Sequence, residues 1–258
     1  MSLEGRTAVV TGGGRGIGAA AARALAGAGA AVAVSARTAR EIEAVADGIR
    51  SGGGRAVAVP CDVTDPEAVE ALAGAAAAEL GRVDVLVHAA GIASSAPIRH
   101  LELEEWRRVL EVNATGAFLC TRAFLPGMAE RGWGRIVYVA SVAGLAGARY
   151  IAAYAASKHA VVGLARCAAA EVAGRGVTVN ALCPGYVDTA MTRDAVADIA
   201  ATTDRTPEEA LGFLLSQNPQ GRLIEPGEVA DAAVWLCGEG ARGVNGQAVV
   251  IDGGELLA

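Results

Sequence analysis

The strongest constraint on the fold is a regular alternation of short apolar runs with alanine-rich segments of helical character. The apolar runs lie at 7–11, 31–35, 55–59, 83–87, 135–140, 177–182 and 247–251. Strands that are apolar throughout and separated by helices are typical of a parallel sheet covered on both faces. No linker-like composition divides the chain. We therefore predict a single α/β domain over 1–258, a Rossmann-like doubly wound parallel sheet of about seven strands with helices on both faces.

One segment interrupts this alternation between the sixth and seventh apolar runs. It contains the stretch TPEEALGFLL, which predicts a short helix with Thr206 as N-cap and Pro207 at the first position. Long insertions in compact domains are usually lids or binding loops. We expect a substrate lid at about 190–222.

Composition and charge exclude several classes of function. A net charge of −6 argues against nucleic acid or an anionic membrane as the main partner. The 53% hydrophobic content is largely alanine, and the first residues show no signal-peptide pattern, so we expect a cytoplasmic protein without a membrane partner. The five cysteines are scattered without a CxxC pair and the three histidines are isolated. This pattern predicts reduced thiols and no metal site.

A glycine-rich stretch, TGGGRGIG at 11–18, follows the first apolar run and opens the first predicted helix. Gly12, Gly16 and Gly18 allow a tight turn and let the backbone approach a pyrophosphate at the helix N-terminus. No Lys-Ser/Thr pair follows, which argues against a loop for nucleoside triphosphates. The stretch therefore indicates a dinucleotide cofactor.

The end of the second apolar run indicates which dinucleotide is bound. A binder of NAD usually places an acidic residue there for the ribose hydroxyls, but no acid occurs before Glu41. Instead, Arg37 and Arg15 could pair with a 2′-phosphate. The sequence favours NADP(H), and NAD(H) remains the alternative if Arg37 is merely solvated.

A single lysine stands out among the 22 basic residues, since the other 21 are arginines. Lys158 follows Tyr154 by four positions, so on a helix the two side chains share a face. A phenol is a poor acid near neutrality, but a nearby cation lowers its pKa. Lysine, unlike arginine, can also release a proton. The pair therefore predicts a tyrosine that exchanges a proton with a substrate oxygen.

Two further polar residues complete a recognisable set. Ser141 ends the fifth apolar run, at the sheet edge where α/β proteins bind ligands, and Asn113 lies in the preceding predicted helix. With TGGGRGIG, the CDVTD stretch and PGYVDT at 184–189, this set resembles the short-chain dehydrogenase/reductase family over nearly the whole chain. Within the family, the chain most resembles carrier-linked 3-oxoacyl reductases and polyketide ketoreductases. SKHAVVGL, CPGYVDTAMT and the helix at 206–215 resemble the polyketide ketoreductases in particular.

The resemblance implies a role for each residue of the site. Tyr154 protonates the carbonyl oxygen, Ser141 hydrogen-bonds the same oxygen, Lys158 lowers the tyrosine pKa and holds the nicotinamide ribose, and Asn113 supports a water relay. The residues implied to bind the cofactor are Gly12, Arg15, Gly16, Ile17, Gly18, Arg37, Asp62, Val63, Ala90, Gly91, Asn113, Tyr154, Lys158, Pro184, Gly185, Val187 and Thr189. Those expected to line the substrate pocket are Ser141, Leu145, Tyr150, Tyr154, Tyr186 and Phe213.

The chain departs from the family pattern after the fourth apolar run. The family usually has Asn-Asn-Ala-Gly there, whereas this chain has His88-Ala89-Ala90-Gly91. Gly91 keeps the close backbone approach, but both asparagine side chains are lost. We expect His88 to be structural rather than catalytic, and cofactor contacts at this point to rest on backbone groups.

These observations predict NADPH-dependent reduction of a ketone to a secondary alcohol, with a 3-oxoacyl thioester or polyketide as the expected substrate, free or carrier-bound. Arg131, Arg135 and Arg175 could present a basic rim to an acidic carrier protein. The resemblance also implies a homotetramer through helices around 103–130 and 151–173. One alternative is an NAD-dependent secondary-alcohol or 3-hydroxyacyl dehydrogenase. Another is a non-catalytic nucleotide-binding regulator, which would not need the proton-transfer residues.

Overall fold

Seven parallel strands form one sheet in the computed structural model, which describes residues 2–257. In chain order the strands are β1 (Thr7–Thr11), β2 (Ala31–Ala36), β3 (Ala56–Pro60), β4 (Val85–His88), β5 (Gly134–Val139), β6 (Val177–Pro184) and β7 (Ala248–Ile251). Their order across the sheet is β3-β2-β1-β4-β5-β6-β7. The predicted doubly wound α/β fold is confirmed.

Helices cover both faces of the sheet. They are α1 (Gly16–Gly27), α2 (Ala39–Ser51), α3 (Pro66–Leu80), α4 (Leu103–Leu110), α5 (Gly116–Arg131), α6 (Ala152–Val172), α7 (Ala190–Thr202), α8 (Pro207–Gln217) and α9 (Pro226–Cys237). One apolar core contains Leu25 of α1, Ile42 of α2 and Val229 of α9, and lies on one face. A second core on the opposite face contains residues of α3, α5 and α6. None of the helices described is long and apolar enough to cross a membrane.

The strand register brings the carboxyl ends of the central strands to one edge. Thr11 of β1 is paired with His88 of β4, which is paired with Tyr138 of β5. The chain turns to β2 on one side of β1 and returns to β4 on the other. This reversal creates a crevice at the carboxyl edge, where open α/β sheets bind their ligands.

The insertion after β6 contains two helices, α7 and α8. The predicted helix is present as α8, with Thr206 as N-cap and a capping box completed by Glu209. The sequence analysis did not identify α7. The base of the insertion is closed by backbone bonds from Ile224 N to Tyr186 O and from Asp188 N to Ile224 O, each 2.9 Å long. The insertion therefore leaves and rejoins the sheet edge at one point.

The helix before β5 is not regular throughout. A π-helical turn, Glu111–Thr115, joins α4 to α5, so the two helices follow one another without a loop. Such turns widen a helix by one residue and occur frequently at functional sites. Asn113 lies in this turn and is buried.

The predicted basic rim is wrong for Arg135, whose side chain is buried. Its guanidinium donates to the carbonyls of Gly134 and Gly176 and lies over the Trp133 ring. Arg131 donates to the carbonyl of Val83, immediately before β4. These contacts lie at the amino edge of the sheet, because Arg135 is the second residue of β5, whereas Ser141 follows β5 and lies at the carboxyl edge.

Candidate active site

Ser141 and Tyr154 are brought together by the packing of α6 against the turn that follows β5. A Cβ added at Gly144 would lie 2.8 Å from the Lys158 carbonyl oxygen, so the turn touches the α6 backbone. The Ser141 hydroxyl accepts from the Ala143 amide at 3.1 Å, which fixes the serine at the start of this turn. Tyr154 of α6 lies close enough to Ser141, which follows the carboxyl end of β5, for the serine to affect the pKa of its phenol.

Lys158 lies beside Tyr154, as their spacing on one helix predicts. Its ammonium is 5.6 Å from the centre of the Tyr154 ring and donates to the Val139 carbonyl at 2.8 Å. Burial lowers the pKa of Lys158 to about 8. A lysine with such a pKa can both donate and accept a proton near neutrality.

The expected lowering of the Tyr154 pKa by Lys158 is not found. Burial raises the pKa of Tyr154, Ser141 opposes this rise, and Tyr186 and Cys183 add to it. The physical reason is that the ammonium is directed to the Val139 carbonyl and the phenol itself is removed from water. The phenol is therefore neutral, and a neutral phenol is a proton donor.

Asn113 connects three elements of the site. Its Oδ1 accepts from the Ile92 amide at 2.8 Å, and its Nδ2 donates to the Ile92 carbonyl and to Ser157 Oγ, each at 2.9 Å. Ser157 Oγ in turn donates to the Tyr154 carbonyl at 2.7 Å. The sequence analysis missed Ser157, although its position between Tyr154 and Lys158 on a buried helix could have indicated it.

The region around Gly91 brings Asn113 and Lys158 to the same space. A Cβ added at Gly91 would lie 3.3 Å from Asn113 Oδ1 and 3.5 Å from Lys158 Nζ. The backbone before Gly91 also contacts the glycine loop, since a Cβ at Gly12 would lie 2.6 Å from Ala89 and Ala90 backbone atoms. Residues predicted to bind the cofactor and residues predicted to transfer the proton thus share one crevice.

The glycine loop has the geometry that a dinucleotide pyrophosphate requires. Gly12 has φ +65°, and a Cβ at Gly18 would lie 2.2 Å from the Gly12 carbonyl oxygen, so neither position has room for a side chain. Arg15, the N-cap of α1, makes no side-chain cap, which leaves the first amides of α1 available to an anion. The loop fits the phosphates of a dinucleotide.

Asp62 and Val63, two of the residues predicted to bind the cofactor, lie just after the end of β3. Asp62 Oδ1 accepts from the amide and hydroxyl of Thr64, at 3.0 Å and 2.8 Å. The Thr64 amide is the main cause of the lowered pKa of Asp62, and Arg37 contributes as well. Arg37 is thus within electrostatic range of Asp62. Val63 packs against Gly116, at the start of α5.

Glu41 lies near the cofactor loop, although the pattern at the strand end gave it no role in binding the cofactor. It lies in the first turn of α2, and a Cβ added at Gly14 would lie 2.9 Å from Glu41 Cβ and 3.1 Å from its Oε2. A carboxylate therefore borders the glycine loop on the side of Arg37. The simple spacing rule did not find it because Glu41 belongs to the following helix and not to the strand end.

The PGYVDT stretch lies opposite the glycine loop. It runs from Pro184, the last residue of β6, through Gly185 and Val187 to Thr189, the N-cap of α7. A Cβ at Gly16 would lie 3.2 Å from Thr189 Cγ2, so the stretch touches the loop directly, and Ile17 beside it packs against the core. A cavity of about 440 Å³ borders this contact and is lined in part by Arg15 and Arg193.

His88 is buried at the end of β4. Its Nδ1 lies 2.9 Å from Thr11 Oγ1, which links the ends of β4 and β1, and its ring stands edge-on to Tyr138. Its Nε2 has no hydrogen-bond partner among the residues that the structure describes. Burial, with a smaller contribution from Lys158, lowers the pKa of His88 to about 3. His88 is therefore neutral, and its contacts agree with a structural role.

The residues predicted to line the substrate pocket differ in their surroundings. Tyr150 is 56% exposed and is the one non-glycine residue with a positive φ (+71°) in residues 2–257, and its carbonyl accepts from the Ala96 amide at 2.7 Å. Leu145 packs against the apolar core beneath α6. Tyr186 is partly buried next to Gly185, and Phe213 of α8 is 42% exposed beneath Arg205.

Comparison with protein families gives one family match. Residues 6–200 match the family model described as short chain dehydrogenase. A 3-oxoacyl-acyl-carrier-protein reductase of Vibrio cholerae is 39% identical over 257 residues, which are 100% of each chain.

Solved structures agree with this match. A crystal structure of a putative NAD(P)-dependent gluconate 5-dehydrogenase from Beutenbergia cavernae, with bound NADP at low occupancy, is 47% identical. The match covers 100% of this chain and 99% of the dehydrogenase chain, and its TM-score is 0.91. A variant of actinorhodin polyketide ketoreductase with NADPH is 38% identical, covers 99% of both chains and has a TM-score of 0.95.

Proposed function

The chain belongs to the short-chain dehydrogenase family and is an NAD(P)-dependent oxidoreductase, and from this premise we propose that it reduces ketones with NADPH. The substrate we propose is a 3-oxoacyl thioester or a polyketide, and the product is a secondary alcohol. The observation that supports this best is the convergence of Ser141, Tyr154 and Lys158 on the crevice that the glycine loop also borders.

The chain's own groups would supply the proton and stabilise charge. Bound NADPH supplies a hydride to the carbonyl carbon. As negative charge develops on the carbonyl oxygen, Ser141 donates a hydrogen bond and Tyr154 donates its proton to that oxygen. Lys158, whose pKa is about 8, is placed to return a proton toward Tyr154. Asn113 holds the loop at Ile92 and the α6 residue Ser157 in place.

The raised pKa of Tyr154 supports the reductive direction. A phenol that is neutral at physiological pH acts as an acid, which ketone reduction needs. Alcohol oxidation instead begins with a phenolate that accepts the substrate proton.

The cofactor that we propose is NADPH, because Arg15 and Arg37 lie exposed at the glycine loop and at the end of β2. Two relatives of known structure contain NADP or NADPH. Glu41 gives the NAD(H) alternative a specific basis, since a carboxylate beside Gly14 repels a 2′-phosphate and can accept from a ribose hydroxyl. Comparison of kcat/KM for NADPH and NADH decides between the two.

We propose the substrate class from the residues expected to line the substrate pocket and from the activities that the relatives' names give. Leu145, Tyr186 and Phe213 would make a largely apolar slot whose polar end is Ser141 and Tyr154, and such a slot suits an acyl chain. Relatives include a 3-oxoacyl reductase and a polyketide ketoreductase.

A substrate panel tests this proposal. Purified protein with NADPH is assayed against 3-oxoacyl thioesters of increasing length, simple ketones and sugars, with the Tyr154→Phe variant as the control. We expect the thioesters to give the highest kcat/KM. Efficient reduction of sugars with no activity on any thioester would overturn the substrate assignment and leave the reductase mechanism intact.

A further inference from the structure

Glu255 is a partly buried titratable group next to the PGYVDT stretch, and the proposed mechanism does not use it. Its Oε2 is buried and has no hydrogen-bond partner within residues 2–257. Burial raises the pKa of this carboxyl, and Asp252 raises it further. A buried carboxylate oxygen without a donor is costly, and native proteins retain such groups mainly where a ligand or water completes them.

The turn that carries Glu255 is firmly built. Asp252 ends the strand region, and its two carboxylate oxygens accept from the Gly254 and Leu256 amides at 2.8 Å and 2.9 Å. Gly253 and Gly254 have φ values of +66° and +97°, which side chains rarely adopt. A Cβ at Gly253 would lie 2.1 Å from Asn218, the residue that follows α8. Glu255 is therefore presented by a packed turn that contacts the insertion.

The carboxylate points toward the PGYVDT stretch. A Cβ added at Gly185 would lie 2.6 Å from Glu255 Oε2, so this oxygen occupies space that a side chain at 185 would fill. Glu255 also lies close enough to Tyr186 to raise the pKa of that phenol, after the larger effect of burial. Tyr186 in turn contributes to the raised pKa of Tyr154. Glu255 is thus within electrostatic range of Tyr186, and Tyr186 is within electrostatic range of the proton donor.

We infer that Glu255 is a specificity-determining residue that accepts a hydrogen bond from a hydroxyl or amide N–H of the substrate. The inference rests on the proposed reduction of ketones and adds a polar requirement to the otherwise apolar slot. A donor on the substrate satisfies Oε2, whereas a substrate without one leaves it unpaired. A substrate carboxylate in the same place is repelled.

Two kinds of substrate supply such a donor. One is a hydroxyketone, whose hydroxyl lies on a carbon near the carbonyl. The other is a thioester whose arm carries an amide N–H, as acyl-cysteamine thioesters do. Glu255 accepts a hydrogen bond from either kind of substrate. One matched pair of compounds for each kind therefore tells the two apart.

The test compares matched pairs in the parent enzyme and in the Glu255→Ala and Glu255→Gln variants. One pair is a hydroxyketone and its deoxy analogue, and the other is an N-acetylcysteamine thioester and the methyl ester of the same 3-oxo acid. Glu70→Gln, an exposed acid on α3, is the control. For the pair that represents the natural substrate, we expect Glu255→Ala to lower kcat/KM of the donor-bearing member by about 10-fold to 100-fold. The other member should change less than about two-fold.

The outcomes separate this inference from the proposed function. If the parent reduces both pairs and neither variant changes either ratio, Glu255 has no role in specificity. If no ketone is reduced at all, the proposed function fails. The role of Glu255 is then tested by calorimetry, which measures the affinity of each compound for the protein with NADP⁺. Equal affinities of the donor-bearing compounds for the parent and for Glu255→Ala overturn the inference. Thermal unfolding adds an independent readout, since removal of an unpaired carboxylate should not lower Tm, whereas loss of a group kept for folding would.

Discussion

The Tyr154 hydroxyl is the single group whose removal we expect to stop the reaction. Tyr154→Phe removes the proton donor while it preserves the ring, so turnover should fall to background and NADPH affinity should stay within a few-fold of the parent. Lys158→Arg should also lose most of its activity, because arginine does not release a proton near neutrality. NADPH oxidation gives kcat, and fluorescence titration gives cofactor affinity. A Lys158→Arg enzyme with near-normal kcat would contradict the role of the lysine.

Arg37 should carry part of the preference for NADPH. It is exposed at the end of β2, near Asp62, and a lost charge-assisted contact typically costs about 1.5–3 kcal/mol. Arg37→Ala should therefore reduce the ratio of kcat/KM for NADPH over NADH by roughly ten-fold or more. Glu41→Gln is the matched test in the opposite direction and should raise the same ratio. Equal efficiency of the parent with both cofactors would refute this account.

His88 should make the fold sensitive to acid. Its folded pKa of about 3 lies below the 6.5 expected in the unfolded chain, so between these values the unfolded chain binds more protons. Stability contributed by the neutral imidazole is complete above pH 6.5 and is lost as the pH falls toward 3. Between pH 7 and pH 5 this loss is about 2 kcal/mol. Urea unfolding of the parent and His88→Asn at both pH values should show a smaller loss in the variant, with His100→Asn, an exposed histidine, behaving like the parent.

At the scale of elements, α8 should influence the choice of chain length. Its capping box fixes its start at Thr206, its Leu214 is buried, and Phe213 stays 42% exposed. If α8 closes over an acyl chain, Phe213→Ala should raise KM for long 3-oxoacyl thioesters more than for short ones, with kcat little changed. Leu211→Ala, which shortens an exposed side chain on the same helix, is the control. A uniform change in KM across chain lengths would show that Phe213 does not contact the chain.

The sheet and much of the site could be predicted because the responsible signals are local. Each strand begins and ends within two residues of the predicted bounds, since continuous apolar runs flanked by turns determine buried parallel strands. Tyr154 and Lys158 were placed together by helical spacing alone. The α8 helix followed from its N-cap and proline.

The remaining features depend on contacts between distant parts of the chain. The π-helical turn at Asn113 reflects its bonds to Ile92 and Ser157, which no local pattern encodes. The direction of the Tyr154 pKa depends on burial by the whole fold, and Arg135 is buried because Trp133 and the Gly176 carbonyl surround it. Glu255 lies on a turn that is about 70 residues from Gly185 in sequence, yet its side chain is adjacent to Gly185 in space.

At the scale of the whole molecule, we expect a homotetramer. Apolar side chains remain exposed on α4 and α5, with Leu103 at 59% and Phe118 at 47%, and α6 is rich in alanine. Light scattering at micromolar concentration should give about four times the 25.8 kDa of one chain. Phe118→Glu should shift the mass toward smaller species, because it places a charge in the expected interface. A monomeric parent would count against this assembly.

The backbone closure at the base of the insertion bears on which part of the chain can vary in sequence and length. Tyr186, Asp188 and Ile224 join the outgoing and returning chain by backbone bonds alone, and those bonds do not depend on which side chains lie between them. We therefore expect the part of this stretch beyond Thr189 to tolerate changes of length and composition while the sheet, the cofactor loop and the proton-transfer residues stay unchanged. Such changes would alter the substrate and leave the chemistry beneath the segment in place.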